Sequence, residues 1–179
     1  MTPTEYIQLK AFARLDGVKL FLLWLTSFVC YIIGLRSPGL GLVALILALV
    51  TPFLCFRLLR HFRDHVRDGV ISFMRGWAYV VFLFFYAGLL FAVAQFVYFN
   101  WIDHGYFASA LSEMLAMPEN AETIRQLGLG SASEMTEILT QASPIETALN
   151  ILTTNLLIGC AIALPIAAVS KRDSLQKVE

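Results

Sequence analysis

Arginine and histidine crowd one stretch of this sequence. Arg57, Arg60, Arg63 and Arg67 recur at three- and four-residue spacing, and Arg75 follows closely. Clustered guanidinium groups hold phosphate through charge and paired N–H donors, so the set fits anionic lipid headgroups or a lipid-linked phosphate. The plainer reading is topological, since Lys and Arg gather on the cytoplasmic flank of membrane helices whatever else they do. Asp64 and Asp68 neutralise part of the cluster and can pair with Arg60 and its neighbours at i,i+4. Phe56, Leu59, Phe62 and Val66 recur at helical spacing between the arginines, which makes the segment amphipathic. His61 and His65 stand four apart on it, a spacing that can bind zinc. No third ligand is evidently placed with them and the arginines repel a cation, so no metal site is expected, and no cofactor.

A second polar set is sparser. Gln95, Asn100, Asp103 and His104 fall at the end of one apolar run, and Asn150, Thr153, Thr154 and Asn155 at the start of the next. Polar groups within a membrane span are costly and face the bundle interior. They can line a small pocket or, more plainly, hydrogen-bond helix to helix at about 0.6 kcal/mol per contact. His104 follows Asp103, but chain neighbours rarely face each other, and no nucleophile is indicated. No phosphate-binding glycine loop, catalytic serine motif or Cys-x-x-Cys occurs, and no catalytic residue is assigned. Cys30, Cys55 and Cys160 each lie in an apolar run and read as packing residues.

The elements that must position these residues follow from composition. Of 179 residues 58% are hydrophobic and 15% charged, where a soluble domain carries about 25% charged. Mean hydropathy is +0.71, more apolar than a water-soluble core of this size can hide. Four runs are long enough to cross a hydrocarbon core as helices: 18–35, 40–58, 77–101 and 145–169. They are apolar on every face and lack the alternation of barrel strands. The first run reads as a retained helix and not a cleaved signal, because a long polar segment precedes it and no A-x-A site follows. The expected fold is therefore an all-α, integral membrane four-helix bundle. Arg36-Ser37-Pro38-Gly39 reads as a type II turn closing a hairpin of the first two spans. Pro52 and Pro165 are expected to interrupt the second and fourth. Gly88 with Ala92, and Gly159 with Ala163 and Ala167, let helices approach closely, with a homo-oligomer as the weaker alternative to packing inside the bundle.

Eleven of the thirteen Lys and Arg residues lie in 1–19, 57–75 and 171–177, leaving only Arg36 and Arg125 on the other side. The positive-inside bias then places both termini in the cytoplasm. Segment 1–17 reads as a cytoplasmic helix bending at Gly17 into the first span, started by Thr2, Pro3 and Glu5. Segment 59–76 is a cytoplasmic basic connection, and 170–179 a cytoplasmic tail. Segment 102–144 reads as a small extracytoplasmic helical cap, with helices over 108–117, to about 126, and from about 131 to 141. Ser143, Pro144 and Glu146 announce the start of the fourth span.

Residues Gly69-Val70-Ile71-Ser72-Phe73, Ala78, the aromatic run to Val97-Tyr98-Phe99, and Ile102-Asp103-His104-Gly105-Tyr106 resemble an uncharacterised bacterial inner-membrane family, a domain of unknown function with four spans. The resemblance implies fold and a bacterial inner-membrane location. It also implies a partner, because family members occur beside glycosyltransferases that use lipid carriers. The leading expectation is a non-enzymatic scaffold, anchor or accessory subunit, with membrane lipids and either a cytoplasmic-face glycosyltransferase or another membrane protein as partners and no nucleic acid. A small oligomeric transporter or lipid-handling protein comes second, and an enzyme acting on a lipid-linked phosphate third.

Overall fold

The computed structural model describes residues 2–115, 117 and 143–172. Among these the fold is all-α with five helices. Helix α1 is Pro3–Gly34, α2 is Pro38–Val66, α3 is Phe73–Val97, α4 is Tyr106–Leu115 and α5 is Pro144–Ser170. A π-helical turn, Tyr98–Ile102, extends α3. The four long helices are each apolar and long enough to cross a membrane. The second and third expected cap helices lie outside the described residues, and α4 is the first of them.

Capping chemistry starts both ends of the chain's helical course. Thr2 Oγ1 accepts from the Glu5 amide while Glu5 returns a carboxylate to the Thr2 amide, and Ser143 with Glu146 repeats the box. Ser72 occupies the N-cap of α3, but its side chain makes no capping bond. Two left-handed pairs end helices: Asp68 with Gly69 after α2, and His104 with Gly105 before α4.

The structure refines three local expectations. Helix α1 runs unbroken through Gly17. That glycine is buried against α3, where an added Cβ would stand 3.0 Å from Tyr86 Cβ and 3.3 Å from the Ala87 nitrogen. Its missing side chain serves close packing, and the N-terminal segment and the first long apolar run form one continuous helix. Pro38 and Gly39 do not form a type II turn. They open α2 itself, the reversal being made by Leu35 to Ser37 with bonds from Arg36 N to Ile33 O and Ser37 N to Gly34 O. Pro is favoured in a first helical turn because its missing N–H would be unpaired there anyway. Pro52 and Pro165 lie inside helices that run on past them.

The helices form a curved row, α2–α1–α3–α5, with neighbours in contact along their lengths. Antiparallel α1 and α2 meet through Phe12 on Phe62, Trp24 on Thr51 and Gly34 on Gly41. Parallel α1 and α3 meet through edge-to-face rings, Trp24 on Phe84 and Phe91, then Phe28 on Phe91 and Tyr98. Antiparallel α3 and α5 approach where small residues permit: a Cβ at Gly159 would come within 2.5 Å of the Phe84 ring, and Gly76 faces Ala167. A smaller apolar cluster, Leu35 with Ala110, Leu111 and Leu115, seats α4 on the turn between α1 and α2. Large apolar side chains cover the outside, Phe53 and Val169 each 73% exposed, a surface suited to lipid.

The tightest backbone approach is at Gly34, where a Cβ would run into the Gly41 backbone, whereas a Cβ on Gly39 meets nothing within 4 Å. Gly34→Ala should therefore lower stability by about 1–3 kcal/mol through overpacking, while Gly39→Ala leaves it nearly unchanged. Unfolding of both variants in one detergent, followed by circular dichroism, checks the contrast.

Candidate functional site

At the end where α1 and α3 begin and α2 and α5 finish, the five expected arginines separate into two groups. Arg63 is buried although charged. Its Nη1 donates to the Ser170 carbonyl at 3.0 Å, and its Nε and Nη2 fork onto Asp64 at 2.7 and 3.1 Å. It thus satisfies a carbonyl left over at the C-terminus of α5, where positive charge is favoured. Arg67 and Arg75 both donate to Glu5, at 2.8 and 2.6 Å, tying the end of α2 and the start of α3 to the first turn of α1. A lone antiparallel bridge, Ile71 with Arg172, completes the closure. Arg57 and Arg60 remain exposed, Arg60 with its guanidinium 5.5 Å from the Phe56 ring centre. Asp64 is paired with Arg63 and not, as the i,i+4 spacing suggested, with Arg60.

Beside this closure lies a buried pair that the sequence reading passed over. Asp16 accepts the Tyr79 hydroxyl and, at 2.7 Å, the Lys19 ammonium. Phe62 stacks on the Tyr79 ring at 4.8 Å. The signal was present, because Leu9, Ala13, Asp16, Leu20 and Trp24 share one helical stripe, and an acid on a buried stripe needs a partner. His61 and His65 stack at 4.2 Å on the exposed side of α2, and among the described residues no group of three metal-capable side chains forms.

The second expected set does not converge. Asp103 accepts from the Gly105 and Phe107 amides at 3.1 and 2.8 Å, so its carboxylate shapes the entry to α4. His104 turns to the Ile102 carbonyl at 2.9 Å and not to Asp103. Asn100 and Asn150 are exposed, Gln95 is buried with its Oε1 unbonded, and Thr153 bonds back to Leu149 O. Asn155 alone of the set lines a cavity.

That cavity is a cleft between two of the long helices. Helices α2 and α5 meet at the Arg63 end and stand apart toward α4, which leaves a cleft of about 730 Å³. Its floor is aromatic, with Trp24 and Phe28 from α1 and Phe84 and Phe91 from α3. Ala44, Ala48 and Pro52 form one wall; Asn155, Ile158 and Ile162 form the other. The polar groups near it are mostly satisfied by the protein: Trp24 Nε1 donates to Thr51 Oγ1 at 3.0 Å and Ser27 Oγ to the Ala44 carbonyl at 2.9 Å. Leu45 and Leu49 on one rim and Ile158 on the other are exposed, so the cleft opens sideways on the surface that faces lipid. The arrangement suits binding of an apolar body more than bond-making chemistry.

Arg63→Ala would leave the buried Ser170 carbonyl without its donor and loosen the junction of α2 with α5. A loss of about 1–3 kcal/mol is expected, read as a lowered unfolding midpoint in detergent. Arg57→Ala, at an exposed position, should leave the midpoint in place.

Searches of curated proteins and of solved structures return no match. A family model described as "Protein of unknown function (DUF4199)" matches residues 15–172. The match takes in Asp16, both arms of the cleft and the Arg63–Ser170 contact. The model covers most of the sequence, and the chain belongs to the DUF4199 family of unknown function.

Proposed function

We propose that this protein is a non-enzymatic accessory or scaffold protein of the membrane that seats a lipid hydrocarbon chain in the cleft between α2 and α5. The cleft carries this reading by its size and position. Its wall on α2 runs from Gly41 to Pro52, about 16 Å at the helical rise. Spread over that length, 730 Å³ corresponds to a cross-section of about 45 Å². An extended hydrocarbon chain, with neighbours at about 4 Å, needs on the order of 20 Å². The space is ample for one or two lipid tails. In a bilayer, the lateral opening gives such tails access without crossing a polar barrier.

The basic end supports a cytoplasmic placement for both termini, through the positive-inside bias, and a bacterial inner-membrane setting fits the family resemblance. Exposed Arg57 and Arg60 would meet anionic headgroups there. The remaining three arginines are engaged inside the protein, which weighs against a five-arginine phosphate clamp and so against the lipid-phosphate enzyme.

Ala48 lines the cleft from an exposed position, so a larger side chain there can enter the space without displacing the core. Purified, detergent-washed protein should retain lipid, and Ala48→Trp should retain at least about threefold less, with helicity unchanged. Lipid extraction with mass spectrometry gives the ratio. Equal retention in both proteins would remove the cleft from the account.

A further inference from the structure

We infer that the lipid seated in the cleft carries a phosphate and a primary amine in its headgroup, and that it enters from the leaflet at the α4 end. This rests on the proposed reading that the cleft holds a lipid tail. The direction follows from the shape. The Arg63–Ser170 bond and the Ile71–Arg172 bridge shut the opposite end, so a headgroup has room only where α2 and α5 have parted.

At that open end Gly34, Leu35 and Met114 line the cleft, and the next residue along from each margin is charged. Arg36 follows Leu35, and Glu113 precedes Met114. The two form an ion pair, Arg36 Nη2 to Glu113 Oε1 at 2.9 Å, with side chains 47% and 61% exposed. Among the described residues Arg36 is the sole Arg or Lys at this end. Among the described residues the mouth therefore presents one ion pair, a positive and a negative group side by side, each held mainly by the other. An exposed pair of this kind is weak and exchanges partners at little cost. A zwitterionic headgroup supplies both replacements: its phosphate can take two donors of the guanidinium fork, and its ammonium can take the Glu113 carboxylate. Tyr106 supports the guanidinium from behind, 4.9 Å from ring centre to Cζ. The N-terminus of α2 adds to the phosphate side, since its N-cap Ser37 makes no side-chain bond and no acid occupies its first turn. A purely anionic headgroup would satisfy Arg36 but meet repulsion from Glu113. A quaternary amine would neutralise Glu113 without donating a hydrogen bond.

The test uses the full chain in nanodiscs of equal parts phosphatidylethanolamine, phosphatidylglycerol and phosphatidylcholine, followed by detergent extraction and quantification of the retained lipid. Phosphatidylethanolamine should be enriched at least about threefold over each of the others. Arg36→Gln should abolish that enrichment, and Glu113→Gln should shift the preference to phosphatidylglycerol; both side chains are exposed, so the fold survives either change. Lipid retained in wild type with no headgroup preference, or with phosphatidylglycerol preferred, overturns the headgroup assignment and leaves the cleft intact. No retained lipid at all overturns both. An enrichment that persists in both variants moves the headgroup away from Arg36 and Glu113 and equally refutes the assignment.

Discussion

A guanidinium buried at one end of a hydrophobic bundle governs how the rest of the molecule is arranged. Arg63 must find partners for its donors, because a charge withdrawn from water without hydrogen bonds is costly. It finds them in Asp64 and in the terminal carbonyl of α5. That bond brings the outermost helices of a four-helix row together at one point. With α1 and α3 filling the middle of the row, meeting at one end leaves parting at the other. The cleft is thus a product of where the closing bond sits.

The polar groups divide by the same logic. Lipid offers no hydrogen bonds, so side chains with donors or acceptors are favoured where they bond within the protein or sit at its ends. Trp24 bonds Thr51, Ser27 bonds a carbonyl of α2, and Tyr79 bonds Asp16. Glu5 gathers two arginines while also closing the capping box that starts α1. Among the described residues this leaves Arg57 and Arg60 exposed at one end, a loosely paired Arg36 and Glu113 at the other, and a largely apolar hollow between.

Much of this architecture was legible because membrane helices announce themselves by composition. The four long apolar stretches, the Thr2 and Ser143 starts and the close-packing glycines of α3 and α5 could all be read from residue type and spacing. Local errors came from residues with two uses. Gly17 is as apt for a tight helix contact as for a bend, and Pro38-Gly39 as apt for a first helical turn as for a reversal; only the neighbouring helix decides. The site was less legible for a related reason. Arginine spacing gave the amphipathic helix, but not that Arg63 would turn inward to α5, a partner 107 positions away. The cleft has no sequence signature at all, since Ala44, Ala48 and Ile158 look like any lipid-facing residues until the gap between two helices is known. Asn155 was singled out for its polarity, and it does line the cavity, although the residues expected beside it do not.

The wide turn at the end of α3 carries a consequence for the chain's register. Its closing bond, Asp103 N to Tyr98 O, skips one residue more than an α-helical bond does. Such a turn is equivalent to one inserted amino acid, and it rotates everything after it by about 100° relative to an uninterrupted α-helix. Asp103 reaches the Gly105 and Phe107 amides from that rotated position. Deleting a single residue between 97 and 103 would restore ordinary helical winding and swing the carboxylate off those amides. The helix that floors the cleft and the short one beside its mouth are thus geared together by one surplus residue.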